Sequence, residues 1–295
     1  MLKQLSLCIA ALSILMSACD QSGSDYADRR DGVDHADRFE SVSERGHGRI
    51  EVLYVPATGW AYRDDRGELT GVTVEIMRDF KRWLAREQGL DLELLFVTER
   101  DWRRFYQRVV DAEGGVFGIG NVTITEERRQ ELAFSPAYLT NVAVLITHES
   151  QAELRAMVDI AGAFEDLSAL AFEGTLHEER LQAIRAQYAP ELTIESAQSN
   201  DAIIDGVAAG DYFAYIDAYN YWRAREAGQP LRHHPVGDDP GEHFGIIMPR
   251  GSDWAPVMEA FFQADDGYVQ SERYRSLLKR HLGEEVAELL LSAAD

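Results

Sequence analysis

Cysteine is almost missing from the chain: Cys8 and Cys19 are the two it has, both within the first 19 residues. A body without cysteine offers no disulfide framework, no thiolate metal site and no cysteine nucleophile. Lysine is nearly as scarce, with Lys3, Lys81 and Lys279 standing against an otherwise all-arginine basic set, and acidic residues outnumber basic ones to a formal net charge of −22. Such a surface repels nucleic acid and anionic lipid, so neither is expected as a partner. The common catalytic signatures are absent as well: there is no G-x-S-x-G, no phosphate-binding P-loop and no H-E-x-x-H. His177 and the pair His233-His234 lack a third ligand at a diagnostic spacing, so neither a metal nor another cofactor is expected.

Long apolar runs are also lacking, with one exception at the start. Leu5 to Met16 is apolar, Lys3 precedes it and the small pair Ser17-Ala18 follows, which reads as a secretion signal over residues 1–19, too short to span a membrane as a mature helix. Met16-Ser17-Ala18-Cys19 resembles the bacterial lipobox, with Met where Leu is usual. That resemblance implies an acylated Cys19 and a periplasmic protein anchored to a membrane by lipid; an ordinary cleaved signal is the alternative. Residues 20–47 are polar, highly charged and nearly free of large aliphatics, the composition of a disordered tether.

The body, from Gly48, alternates strand and helix periods. RIEVLYV is strand-like; Val74, Met77, Phe80 and Leu84 recur at helical spacing with Gly89 as C-cap; Leu90 to Val97 alternates as a strand. Trp102, Phe105, Tyr106 and Val109 give a second helical stripe before the strand that begins at Val116. This order predicts a three-layer α/β lobe. After the strand NVAVLITHE the pattern restarts with LSALAFEGT, LHEERLQAIRAQY, LTIES, a helix from Ser199 to Ala209 closed by Gly210, the strand YFAYI and the helix AYNYWRAREAG, which predicts a second α/β lobe. Residues 284–295 read as a short extra helix of no evident use.

Val116 to Tyr138, VFGIGNVTITEERRQELAFSPAY, carries the most chemistry. Gly118 and Gly120 mark a strand end where a backbone or ligand comes close. Thr123 and Thr125 can start a helical turn, with Glu126 and Glu127 where the dipole favours carboxylates. Arg128, beside these hydroxyls and the Asn121 amide, is suited to clamp a carboxylate with its planar fork; an exposed arginine paired with Glu127 or Glu131 is the alternative. Gly174-Thr175 lies between a strand and a helix, where free N–H groups can meet an anion or simply cap the helix. Asp217 ends a strand at the edge where α/β crevices hold ligands, or else caps the helix from Ala218.

The string NVTITEERRQELAFSPAY resembles the signature of the family 3 extracellular solute-binding proteins, a T-I-T-x-x-R turn followed by F-S-x-x-Y. GELTGVTVEI is similar to the family's G-x-L-x-G-f-d-v-D-l, with Glu75 where Asp is usual, and HFGIIMPRG to its returning strand. The resemblance implies a type II periplasmic-binding-protein fold: lobe 1 over 48–141 and 243–283, lobe 2 over 142–242, and a two-strand hinge near Asn141 to His148 and His243 to Met248. It implies that Arg128 grips a ligand α-carboxylate, that Thr123 contacts ligand, that Gly174 and Thr175 face it from lobe 2, and that Asp217 takes the α-amino group although its spacing departs from the family's. Trp60 and Trp102 fall where the family stacks rings on the ligand, core packing being the alternative for both. The function implied is a monomeric binding protein that hands a small polar carboxylate, such as an amino acid, to an ABC-type membrane permease. Two other expectations stay open: a dehydratase in which Asp217 or Glu173 is a general acid, or a sensor module. The end at Asp295 is taken to leave no room for a fused lysozyme-like domain.

Overall fold

Ile50, Val52 and Tyr54 of the first strand, β1 (His47–Tyr54), face one side while Leu53, with Val55 beyond it, faces the other, and all are buried. A parallel strand apolar on both faces has to be covered on both, which places β1 inside a sheet. The structure, a computed structural model, describes residues 36–292; the signal segment with Cys19 and residues 20–35 lie outside the described residues.

Ahead of β1 is a short helix, α1 (Phe39–Arg45), and after it come the hairpin β2 (Tyr62–Arg63) and β3 (Leu69–Thr70), then α2 (Val72–Gln88), β4 (Asp91–Thr98), α3 (Trp102–Val110), β5 (Val116–Ile119), α4 (Glu126–Glu131) and β6 (Leu132–Phe134). Helix α2 buries Val74, Met77, Phe80 and Leu84 and stops at Gly89, whose φ of 66° is the left-handed C-cap that glycine favours. The helical stripe of α3 covers the opposite face of the sheet through Trp102, Phe105 and Val109. These layers make the first lobe.

Residues 36–47 correct the tether expectation, because they are folded. Val42 of α1 is fully buried, Phe39 meets Trp254 edge to face at 5.2 Å, and Trp254 Nε1 donates to the Asp37 carbonyl at 2.9 Å. The charged composition hid a helix held by one valine and one ring.

The second lobe holds β7 (Leu139–His148), α5 (Ile160–Ala163), β8 (Ser168–Phe172), α6 (Leu176–Gln187), β9 (Ile194–Ala197), α7 (Asn200–Ala209), β10 (Tyr212–Asp217), α8 (Ala218–Glu226), β11 (Leu231–His233) and β12 (Asp239–Phe244). Its strands run β11-β7-β10-β8-β9, with β12 also paired to β7. One apolar cluster joins Phe164, Leu181 and Ile184 beneath the sheet and another joins Ile203, Val207 and Ala224 above it, again three layers. The chain then returns through β13 (Ile247–Pro249), α9 (Ala255–Gln263), α10 (Glu272–Leu282) and α11 (Glu284–Ser292). Strand β13 completes the first sheet in the order β4-β1-β5-β13-β6.

Two antiparallel segments cross between the lobes, Leu139–Ala143 and Asp239–Phe244, with Thr140 opposite His243 and Asn141 opposite Glu242. The crossing thus lies a few residues before the spans expected from sequence. Val144 to Ile146 already pair with β10 inside the second sheet, and Ile247 with β5 inside the first.

Candidate functional site

Parallel strands present their C-terminal ends to a common edge, and in α/β sheets the crevice outside that edge is where ligands sit. Here both lobes turn that edge toward each other. Val55, Pro56 and Ala57 follow β1, and Gly120, Asn121 and Thr123 follow β5; from the second lobe come Phe172 at the end of β8, Thr175, Leu176 and His177 beyond it, Asn200 after β9 and Asp217 at the end of β10. With Trp102 and Arg128 they line one cavity.

The turn that carries Arg128 is fixed from two sides. Thr125 caps α4, its Oγ1 accepting from the Arg128 N–H at 3.1 Å. The preceding loop is tied to the crossing strand, with Ile124 N–H donating to the His243 carbonyl at 2.7 Å and Gly245 N–H to the Val122 carbonyl at 3.0 Å. Gly118 in β5 is required by packing, since a Cβ there would lie 2.5 Å from Ile247 Cγ1 and 2.9 Å from the Phe105 ring.

Arg128 itself is 9% exposed. Its Nη1 donates to the Thr123 carbonyl at 3.1 Å and its guanidinium lies over the Tyr106 ring at 5.6 Å. No carboxylate among the described residues lies within ion-pair distance of it, so the pairing with Glu127 or Glu131 is not formed. Glu131 instead accepts from Tyr106 Oη at 2.8 Å. Burial lowers the guanidinium pKa from its ordinary value, the direction expected when a cation is desolvated without an anion beside it.

Asp217 is the counterpart on the other lobe, 2% exposed. Its carboxylate does not cap α8. It accepts from Asn121 Nδ2 at 2.6 Å, Asn141 Nδ2 at 2.9 Å and His177 Nε2 at 3.2 Å. The His177 tautomer follows from chemistry: Nδ1 lies 3.2 Å from Arg180 Nη1, and arginine can only donate, so Nδ1 accepts and Nε2 carries the proton given to Asp217. Arg180 is itself held by Asp239 and Glu242, and Asn141 also donates to Glu242 at 2.9 Å.

Of the residues expected from sequence, Arg128, Thr123, Asn121, Thr175, Asp217 and Trp102 come together in this cavity. Trp60 does not. It is fully buried between Tyr219 at 4.8 Å, Phe244 at 5.7 Å and Tyr138 at 6.0 Å, a core ring rather than a crevice wall. Gly174 is also displaced from the expected role: its N–H donates to Glu178 Oε2 at 2.7 Å, and a Cβ on it would meet Arg103 Cγ at 2.5 Å. The helix's own glutamate therefore takes the N–H that an anion was expected to use. His177, Asn141, Asn200 and the apolar Val55, Phe172 and Leu176 were not singled out as site residues. Asn141 and His177 could have been flagged, as polar residues at the start of an apolar strand and in the first turn after a strand end.

The description of the bacterial extracellular solute-binding proteins, family 3, matches residues 52–284. The chain belongs to that family. Members of family 3 are extracytoplasmic solute-binding proteins, and among the described residues no helix is long and apolar enough to cross a membrane. This family 3 protein is 24% identical over 171 residues, 58% of the chain, to the membrane-bound lytic murein transglycosylase F of Pseudomonas fluorescens (strain Pf0-1), of which the match covers 32%. It thus spans about a third of the length of the curated relatives it matches. The arginine-, lysine-, histidine-binding protein of Geobacillus stearothermophilus shares its fold at a TM-score of 0.61 and 18% identity, over 80% of this chain and 95% of that one. An ancestral amino acid-binding protein, a precursor of cyclohexadienyl dehydratase, shares it at 0.62 and 17%, over 82% and 98%.

Proposed function

We propose that this family 3 protein captures a small zwitterion, an amino acid or related carboxylate, between its lobes and delivers it to an ABC-type permease while held at the membrane through an acylated Cys19. One observation carries the reading. Among the described residues, a buried guanidinium without a carboxylate partner and a buried carboxylate without a cation line one cavity from opposite lobes. A buried charge is costly unless paired, and a ligand bearing both charges pairs each of them at once. Arg128 then forks onto the carboxylate, Asp217 takes the ammonium, and Thr123 and Thr175 offer hydroxyl oxygens between them. A thermal-shift screen of amino acids tests it. A binding ligand at 100 times its dissociation constant adds about 2.7 kcal/mol, and small-angle scattering with that ligand is expected to show compaction as the lobes close.

The dehydratase alternative finds less support. Glu173 is exposed, does not line the cavity and has Arg103 at 3.6 Å, and the Asp217 carboxyl is already engaged by Asn121, Asn141 and His177. A sensor role for the same binding event is the other reading, since the chain also resembles about a third of a membrane-bound protein that is not named as a transport component. Ligand binding that persists in a strain lacking every candidate permease, with a downstream response to that ligand, would distinguish the sensor from the transporter component.

A further inference from the structure

We infer that the crevice selects amino acids whose side chains carry no charge. The inference rests on the zwitterion reading above and deepens it. The cavity lining holds a single guanidinium, Arg128, and a single carboxylate, Asp217, among the described residues, and the main-chain charges of an amino acid use both. What remains for the side chain is apolar apart from Asn200: Val55, Pro56 and Ala57 from one lobe, Trp102 beside them, and Phe172 and Leu176 from the other.

Several charges around this wall are already committed, and Glu127 and Glu179, which act on Arg128 from outside the lining, are exposed to solvent. Glu173 and Glu178 both lie 3.6 Å from Arg103, and Glu178 also holds the Gly174 N–H. Glu242 is paired with Arg180 and accepts from Asn141. His177 has neither ring nitrogen to offer, since Nε2–H is given to Asp217 and Nδ1 accepts from Arg180. Asn200 is polar but uncharged. A lysine or arginine ligand would therefore bury its side-chain cation against valine, phenylalanine and leucine with no anion to meet it, and a glutamate ligand would bury an anion with no free cation. An aliphatic or thioether side chain meets a wall of its own kind.

The test is titration calorimetry of L-leucine, L-methionine, L-arginine, L-lysine and L-glutamate into the full chain and into Leu176→Asp. Leu176 opens α6, and a carboxylate in the first turn suits the helix dipole, so the variant is expected to fold. The parent should bind L-leucine or L-methionine and bind the charged three at least about 100-fold more weakly. In Leu176→Asp, L-lysine or L-arginine should gain about tenfold or more while L-leucine weakens. Arginine, lysine or glutamate binding the parent as tightly as leucine overturns the inference while leaving the zwitterion reading intact, as does an unchanged preference in Leu176→Asp. Silence from all five overturns the zwitterion reading and this inference with it.

Discussion

At the scale of single residues, Arg128 is built for something other than stability. An arginine 9% exposed, resting on one carbonyl and one ring face, has its charge without an anion among the described residues. Replacing a buried charge by an apolar side chain of similar length is often neutral or stabilising. Arg128→Met is thus expected to melt no lower than the parent, and about 2 °C or more above it if 1 kcal/mol is recovered; differential scanning calorimetry checks this, and a marked fall would make Arg128 a structural residue. Trp60 is the opposite case. Trp60→Ala should cost about 3–5 kcal/mol of unfolding free energy, read by denaturant titration, because the indole fills a junction between three other rings. Sequence could not separate Trp60 from Trp102, since a tryptophan in a loop or at a helix start gives no sign of which wall its ring meets. The Arg128 turn was legible because hydroxyls, acids and arginine each occupy a place that helix capping explains. The Asp217 partners were not, because Asn121, Asn141 and His177 reach it from three distant parts of the chain.

At the scale of elements, most strands and helices followed from periodicity. The α2 stripe, its Gly89 stop and the alternation in β1 are local properties, and the crevice lies where parallel strand ends must put it. Helix α1 was missed because one buried valine is too little periodicity to see amid charges. A polar device also went unread in the second lobe. His234 is fully buried; its Nδ1 accepts from the Leu154 N–H at 3.0 Å, and its Nε2 meets Thr147 Oγ1 at 2.7 Å. A second proton would face the Leu154 N–H, so only the neutral ring fits. Burial, with the neighbouring Arg232 and His233 charges, lowers its pKa to about 4 from an ordinary value of 6.5. The unfolded chain therefore binds more protons between those two pH values, and stability should fall as pH drops from 6.5 toward 4. The contribution at stake is at most about 3 kcal/mol. Urea unfolding at pH 7 and pH 4.5 should show the parent losing more stability than His234→Gln over that interval, and equal losses would contradict the account.

At the scale of the whole molecule, the lobes are joined by more than the two crossing strands. Tyr219 of α8 packs its ring on Trp60 and belongs to the first lobe's apolar cluster, and α11, whose use the sequence did not reveal, buries Val286, Ala287 and Leu290 there while also touching α8 and β7. The lobes also meet through the Arg103 pairs with Glu173 and Glu178 and, within the cavity, through Asn121 donating to Asp217. The Arg103 side chain is exposed, so its pairs are worth little and can part while the apolar junction stays packed. A ligand that bridges the lobes must then need both walls together, and that is the claim to measure. Titration calorimetry of the amino acid giving the largest thermal shift, into the parent, Arg128→Ala, Asp217→Asn and the neighbouring control Arg129→Ala, tests it most directly. Arg128→Ala and Asp217→Asn should each lose about 2–5 kcal/mol of binding, some 30-fold to several thousandfold in affinity, with Arg129→Ala near the parent. Unchanged affinity in Arg128→Ala, or a loss of stability there in place of affinity, would contradict it.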